Sequence, residues 1–238
     1  MSLIELRNQV KSLANAEVAK THLWFFKTGK GEYGGGDKFV GLKVPTQRKI
    51  AKVFLNLNYG ELSKLLASKI HEERLIALLI LVERYAKSNE RDKEKIFKFY
   101  LKNRKGINNW DLVDLSAPKI IGEQLVNKNR KILFELAKSN NLWERRIAIL
   151  STLAFIKRAD FNTTLQLSVI LLNDEHDLIH KAVGWMLREI GKKTDSGGLK
   201  VEEDFLKLHY KKMPRTMLRY AIEKFSESKR KKYLSGKI

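Results

Sequence analysis

The chain has 238 residues, with 47 Lys+Arg against 27 Asp+Glu, a net charge of +20 and a pI near 10.0. At 43% hydrophobic residues it is too apolar for a disordered basic tail, and a chain of this size removes roughly 70% of its unfolded surface from water, enough for a core without staples. The absence of Cys excludes a disulfide framework, a thiolate metal site and a Cys nucleophile, and the longest apolar run, 75–82, is too short to cross a membrane.

Residues 1–7 have no signal-peptide layout, so a soluble, cytoplasmic protein is expected, with a positive surplus that points to a polyanion, most often nucleic acid. Ser2 and Glu5 form a capping-box pattern, and the first helix is predicted to run from there to about Phe26. A loop over 27–44 follows, holding six of the 14 glycines. Thr46 then opens a helix to about Leu57. Further helices are predicted over 59–69, 72–87, 90–103, 110–126, 128–139, 141–157, 161–172, 176–192, 199–212 and 214–234. None of the three prolines (Pro45, Pro118, Pro214) is read as interrupting a periodic segment, and strand signals are nearly absent. The fold class is all-α.

The helices repeat. Glu73-Arg74-Leu75-Ile76-Ala77-Leu78-Leu79 and Glu144-Arg145-Arg146-Ile147-Ala148-Ile149-Leu150 agree at five of seven positions and lie 71 residues apart, two units of 35 to 36. Ala182 falls 34 residues after Ala148, and the tract around Trp110 fills the middle unit. A period of 35 to 40 with two helices per unit is the mark of a HEAT-type α-solenoid, whose inner surface is an extended groove. The run 75–82 is apolar nearly all round, as a helix packed between neighbours must be. The basic surplus then becomes the lining of a curved groove, and 207–238 carries 11 Lys+Arg against Glu223 and Glu227. Its densest piece, Lys229-Arg230-Lys231-Lys232, reads either as a solvated tail or as a phosphate-contacting helix.

Two familiar patterns carry no site. Gly29-Lys30-Gly31-Glu32-Tyr33-Gly34 fits G-x-G-x-x-G but lacks the strand before it and the helix within it. His176 and His180 imitate H-E-x-x-H without the Glu or a third ligand, so no metal is expected.

Asn108-Asn109-Trp110-Asp111-Leu112-Val113-Asp114 is different. Trp110 and Asp114 are four apart and share a helix face. A cap at Asn109 or Asp111 with Trp110 in the core accounts for the start of the tract but not for Asp114 among apolar neighbours. Arg146 stands where the sister unit has Leu75, either as a site residue or as an Arg that snorkels to solvent. Trp24 and Trp143 are read as core, and Trp185 more readily as core than as site.

Taken together, Trp110-Asp111-Leu112-Val113-Asp114, Leu142-Trp143-Glu144-Arg145-Arg146-Ile147-Ala148, Lys181-Ala182-Val183-Gly184-Trp185-Met186-Leu187-Arg188-Glu189 and the loop pieces Phe25–Gly34 and Gly41–Pro45 resemble the AlkD-like DNA alkylation repair enzymes, the HEAT-like repeat alkylpurine DNA glycosylases. The likeness spans nearly the whole chain and rests on order and spacing. It implies one HEAT-like repeat domain over 1–238, a curved α-solenoid with a concave basic DNA-binding surface. It implies that Asp114 is the catalytic carboxylate, that Trp110 and Trp185 pack against the sugar and backbone of the lesion nucleotide, and that Arg146 contacts the DNA backbone. The N-terminal loop is more Gly-rich than in the best-described branch, and Tyr33 is the nearest candidate there for a DNA-contacting aromatic.

The implied activity is monofunctional excision of positively charged N3- or N7-alkylpurines from duplex DNA, by a monomer without a cofactor. Some relatives of this fold bind damaged or branched DNA without excising bases. A non-catalytic DNA binder is therefore the alternative, although such a protein has no reason to keep Trp110, Asp114, Arg146 and Trp185 together. A protein- or RNA-binding scaffold is a third reading, which the charge of +20 disfavours.

Overall fold

A computed structural model describes all 238 residues. The chain is helical, with one isolated parallel bridge between Lys38 and Ile70. It divides into two compact units, Met1–Ile120 and Ile121–Ile238.

The first unit holds α1 (Leu3–Ser12), α2 (Ala16–Phe25), α3 (Val44–Val53), α4 (Tyr59–Leu66), α5 (His71–Lys87), α6 (Glu90–Lys102) and α7 (Trp110–Ala117). The capping box at Ser2 and Glu5 is formed. The single helix predicted to reach Phe26 is instead two, because the Asn15 side chain accepts from the Val18 N–H and starts a new helix. Pro45 sits in the first turn of α3, where its missing N–H is no loss, so that helix begins before Thr46.

Helix α5 is the centre of this unit. Every residue from His71 through Val82 is buried, and α3, α4 and α7 pack on it. An apolar side chain taken fully out of water contributes about 1.5–3 kcal/mol, so this one helix anchors the unit.

The predicted helix 110–126 is corrected. α7 stops at Ala117, and Pro118–Gly122 forms a π-helical turn. Pro118 lacks the N–H that the i to i−4 ladder needs, so Pro118 does interrupt a periodic segment.

The second unit holds α8 (Lys131–Ala137), α9 (Leu142–Ser151), α10 (Leu153–Ile156), α11 (Asn162–Ile170), α12 (Asp177–Gly191), α13 (Gly198–His209), α14 (Arg215–Ala221) and α15 (Glu227–Leu234). α12 packs on α9, α13 and α14. A Cβ on Gly184 would lie 2.4 Å from the Met217 carbonyl oxygen, so the α12–α14 approach requires glycine there. The helix expected over 214–234 breaks at Phe225, which is extended, and Ser226 caps a separate α15.

The 71-residue repeat has a structural counterpart within each unit. Arg74 donates to the Ser68 carbonyl at 2.8 Å, and Arg145 donates to the Ser139 carbonyl at 3.0 Å. The Ser68 hydroxyl accepts from the Ile70 N–H as the Ser139 hydroxyl accepts from the Asn141 N–H. The same local device thus launches α5 and α9.

Candidate active site

Asn109 caps α7. It is fully buried, and its Oδ1 accepts from the Trp110 N–H at 2.8 Å. Asp111, Leu112, Val113, Ser116 and Ala117 turn inward, which leaves Trp110, Asp114 and Leu115 as the partly exposed face. Trp110 and Asp114 therefore share the accessible side of one helix, and the cap-and-core account of this tract does not describe Asp114. Close by, the Tyr100 hydroxyl hydrogen-bonds the Ser116 hydroxyl at 2.9 Å, joining α6 to α7. Burial drives the Tyr100 phenol far above its ordinary pKa; the Ser116 hydrogen bond opposes this and the negative charge of Asp114 adds to it.

Trp110 caps a pile of rings. Its indole is stacked on Phe26, with centroids 5.2 Å apart. Phe26 is stacked on Phe39 at 5.0 Å, and Phe39 on His71 at 4.6 Å. Phe25 meets Trp110 edge-on at 5.6 Å and is 51% exposed.

The foot of this pile is charged. His71 Nδ1 lies 3.2 Å from Asp37 Oδ2, and Nε2 lies 2.8 Å from Asp111 Oδ2. Arg74 donates to the same Asp37 oxygen at 2.7 Å. All four side chains are buried. Burial pushes His71 down, but the Asp111 and Asp37 carboxylates together outweigh it and hold the imidazole above its ordinary pKa. Burial likewise pushes Asp37 up, and His71 and Arg74 outweigh it to hold the carboxyl low. The adjacent residues are equally committed. Glu72 accepts from the backbone N–H groups of Val40, Gly41 and Leu42, at 2.9 Å from Gly41, and Arg7 forks onto Glu73 at 3.1 to 3.3 Å. The Glu72 contacts pin the Gly-rich loop to the start of α5, and Arg7 ties α1 to the same turn.

This network was not read from the sequence, although a signal was present. His71-Glu72-Glu73-Arg74 directly precedes the apolar run 75–82. A helix that is apolar all round offers no solvent face for four polar residues in succession, so each needs a dedicated partner.

Tyr33 lies in the loop and is partly exposed. The next residue, Gly34, packs so closely that an added Cβ would fall 2.3 Å from the Phe26 carbonyl oxygen and 3.4 Å from Asn109 Nδ2. The rings against Trp110 include Phe25 and Phe26. Trp24 is corrected: it is 73% exposed rather than core, with Lys27 Nζ 5.5 Å from its ring. Trp143 is in the core at 9% exposure.

In the second unit, Arg146 is 5% exposed and donates to the Leu178 carbonyl in the first turn of α12. The snorkelling account of this residue is therefore set aside. Trp185 on α12 is half-buried and its indole N–H donates to Glu189 Oε1 at 3.0 Å. The histidine pair has local work: His176 Nδ1 accepts from the Leu178 N–H, and His180 Nε2 meets the Asp174 carbonyl. In the basic C-terminal stretch, Lys229 meets Glu203 and Lys231 meets Glu227, so two of its four clustered cations have carboxylate partners.

A family model described as DNA alkylation repair enzyme matches residues 6–225. The chain belongs to the DNA alkylation repair enzyme family. A solved structure, a predicted DNA alkylation repair enzyme from Enterococcus faecalis, matches with a TM-score of 0.67 and 16% identity, covering 90% of this chain and 97% of that one. At that identity the likeness is one of fold, and it is the all-helical fold described above. No curated protein matches significantly. Membership of the DNA alkylation repair enzyme family gives the chain a role in DNA repair and gives its surplus of cations a partner in DNA. No helix is long and apolar enough to cross a membrane.

Proposed function

We propose that the protein is a monofunctional DNA glycosylase that excises positively charged N3- or N7-alkylpurines from duplex DNA, acting as a monomer. The observation that carries this reading is the pairing of a half-exposed carboxylate, Asp114, with a ring-stacked indole, Trp110, on the open face of α7. Arg146 is assigned to the DNA backbone, Trp110 and Trp185 each to the sugar and backbone of the lesion nucleotide, and Tyr33 to a DNA contact.

The chemistry asks little of the protein. Alkylation at N3 or N7 makes the purine cationic, so it departs as a neutral base without a general acid. The glycosidic bond breaks, its electron pair goes to the base, and water adds to C1′ of the oxocarbenium-like sugar as its proton passes to Asp114 or to solvent. A carboxylate about 4 Å from that cation, at an effective dielectric near 20, contributes about 4 kcal/mol before desolvation. Exerted only in the transition state, this corresponds to roughly a thousandfold in rate. The Trp110 face, backed by Phe26, would favour the same positive charge through its quadrupole.

The test is release of N7-methylguanine from methylated duplex DNA. Wild type should release it, and Asp114→Asn should lose roughly a thousandfold in single-turnover rate while still binding the duplex. Tight binding by wild type without release would leave the non-catalytic DNA binder as the function.

A further inference from the structure

A cleft of about 460 Å³ opens in the first unit on the far side of the Gly-rich loop. Gly35, Gly36 and Asp37 form one wall, the 66–69 turn with Arg74 behind it a second, and Lys102, Asn103, Lys105 and Asn108 a third. None of these residues has been given a part in the chemistry at Asp114.

The charge in this cleft is one-sided. Lys69, Lys102, Lys105 and Arg74 contribute four positive charges, against the single carboxylate of Asp37. Asp37 is already held by Arg74 and His71. The three lysines are exposed, and none is paired with a carboxylate. Elsewhere in the unit Lys87, Lys93, Lys95 and Lys98 each meet an acid on their own helix. Arg74 is only 3% exposed and is fixed by Ser68 and Asp37, yet its Nε has no partner. Leaving a buried guanidinium N–H unsatisfied is costly. The buried Oδ1 of Asn108 is also unpartnered, and a turned amide would offer N–H groups in its place.

The shape selects among anions. Two successive glycines in the wall have no side chains to bar close approach, and Gly36 holds a φ of +89° that favours glycine. No aromatic side chain lines the cleft, and its apolar lining is confined to Leu66 and Ala67. It therefore offers nothing on which a base could stack. The ligand it suits is a phosphate group, recognised by charge and N–H donors alone.

We propose that this cleft binds a phosphodiester of the DNA strand, a backbone subsite separate from Asp114. The proposal rests on the reading of duplex DNA as the substrate. It gives the Gly-rich loop a function: one side packs on Phe26 and Asn109 beneath Trp110, and the other holds the strand.

The test measures duplex affinity by fluorescence anisotropy from 50 to 200 mM salt. It compares wild type with a triple variant, Lys69→Ala, Lys102→Ala and Lys105→Ala. A control, Lys11→Ala, Lys87→Ala and Lys95→Ala, removes the same charge at exposed residues of the first unit that do not line the cleft. Inorganic phosphate is titrated in parallel, read by NMR of the lysine side chains. The cleft variant should lower the slope of log K against log salt by about 1 to 2, a loss of one or two phosphate contacts, and the control by less. Equal slopes in wild type and the cleft variant overturn the proposal and leave the glycosylase reading standing. So does an equal loss in both variants, which makes the effect one of net charge. Saturable phosphate binding with duplex affinity indifferent to the cleft lysines assigns the cleft to a free phosphate compound and overturns it as well. Wild type that shows no salt-dependent duplex binding overturns both readings.

Discussion

His71 Nε2 stands 2.8 Å from Asp111 Oδ2, so the first turn of α5 is bonded to the first turn of α7, one residue after Trp110. The other ring nitrogen reaches Asp37 in the Gly-rich loop, and the ring face carries Phe39 and Phe26. One imidazole thus fixes loop, helix and aromatic pile together. It sits behind Trp110 and acts on the site only by positioning it.

Replacing His71 strands the buried Asp111 carboxylate and leaves Asp37 to Arg74 alone. Removing one partner of a buried charged network costs about 3–5 kcal/mol, and His71→Leu is expected to lose that amount in urea unfolding. The loss depends on pH. The folded pKa of His71 is raised, so its contribution is fully present below the unfolded value of 6.5 and is lost as pH rises through the folded one. The stability gap between wild type and His71→Leu should therefore narrow on the alkaline side. A gap that is constant with pH, or no gap, would show that the imidazole is only a space-filling ring.

Gly41 makes the loop attachment possible. Its φ is +85°, and a Cβ there would fall 2.0 Å from the Asn15 carbonyl oxygen, both of which an L side chain resists. Its N–H is also the shortest of those that Glu72 accepts. Gly41→Ala should cost about 2 kcal/mol or more by thermal or urea unfolding. Gly31, with φ +82° and nothing within 4 Å of an added Cβ, bears only the strain of its backbone, so Gly31→Ala should cost about 1 kcal/mol. Equal losses at the two positions would contradict this account.

Most of the helices were legible because their signals are local. Caps at Ser2, Asn58 and Asn89 and the apolar run of α5 depend on neighbours a few residues away. The errors came where a single residue overrides the period. Asn15 restarts a helix, Pro118 removes a ladder donor, and Phe225 goes extended. Trp110 and Asp114 were legible as an i, i+4 pair. The pile beneath Trp110 was not, because Phe26, Phe39 and His71 come from three places in the chain and nothing local announces that their rings meet. Trp24 misled because size and apolarity argue for burial, while only the packing of α2 shows which side faces solvent.

Glu202, in the second unit, has a pH effect of the same sign as His71, but as a penalty on the charged form rather than the loss of a favourable contact. It is 2% exposed, its Oε1 is unpartnered, and its other oxygen lies where a Cβ on Gly191 would be, 1.8 Å away. Burial, with Glu203 adding to it and Lys229 and Arg188 opposing, pushes its pKa up to about 8. A raised carboxyl pKa favours the folded state when protonated, so stability falls as pH rises from 4.5 to about 8 and stays low above. Glu202→Gln removes the penalty. The variant should match wild type near pH 4.5 and exceed it above pH 8, by at most about 5 kcal/mol at 1.4 kcal/mol per unit. Parallel stability curves for the two proteins would mean that Glu202 is solvated or paired when charged.

Arg146→Ala must be read on two axes. Its guanidinium is buried and donates to the Leu178 carbonyl, so truncation removes a charge-assisted hydrogen bond worth about 1.5–3 kcal/mol as well as any DNA contact. Lower activity alone therefore cannot assign Arg146 to the DNA. The separating measurement is the salt dependence of duplex binding, taken well below the melting temperature of the variant. A backbone contact lowers the slope of log K against log salt by about 0.9, whereas a purely structural role lowers the melting temperature and leaves the slope alone. We expect both changes in Arg146→Ala. In Arg146→Lys the slope should recover more than the stability, because an ammonium keeps the charge but cannot present the planar fork that reaches Leu178.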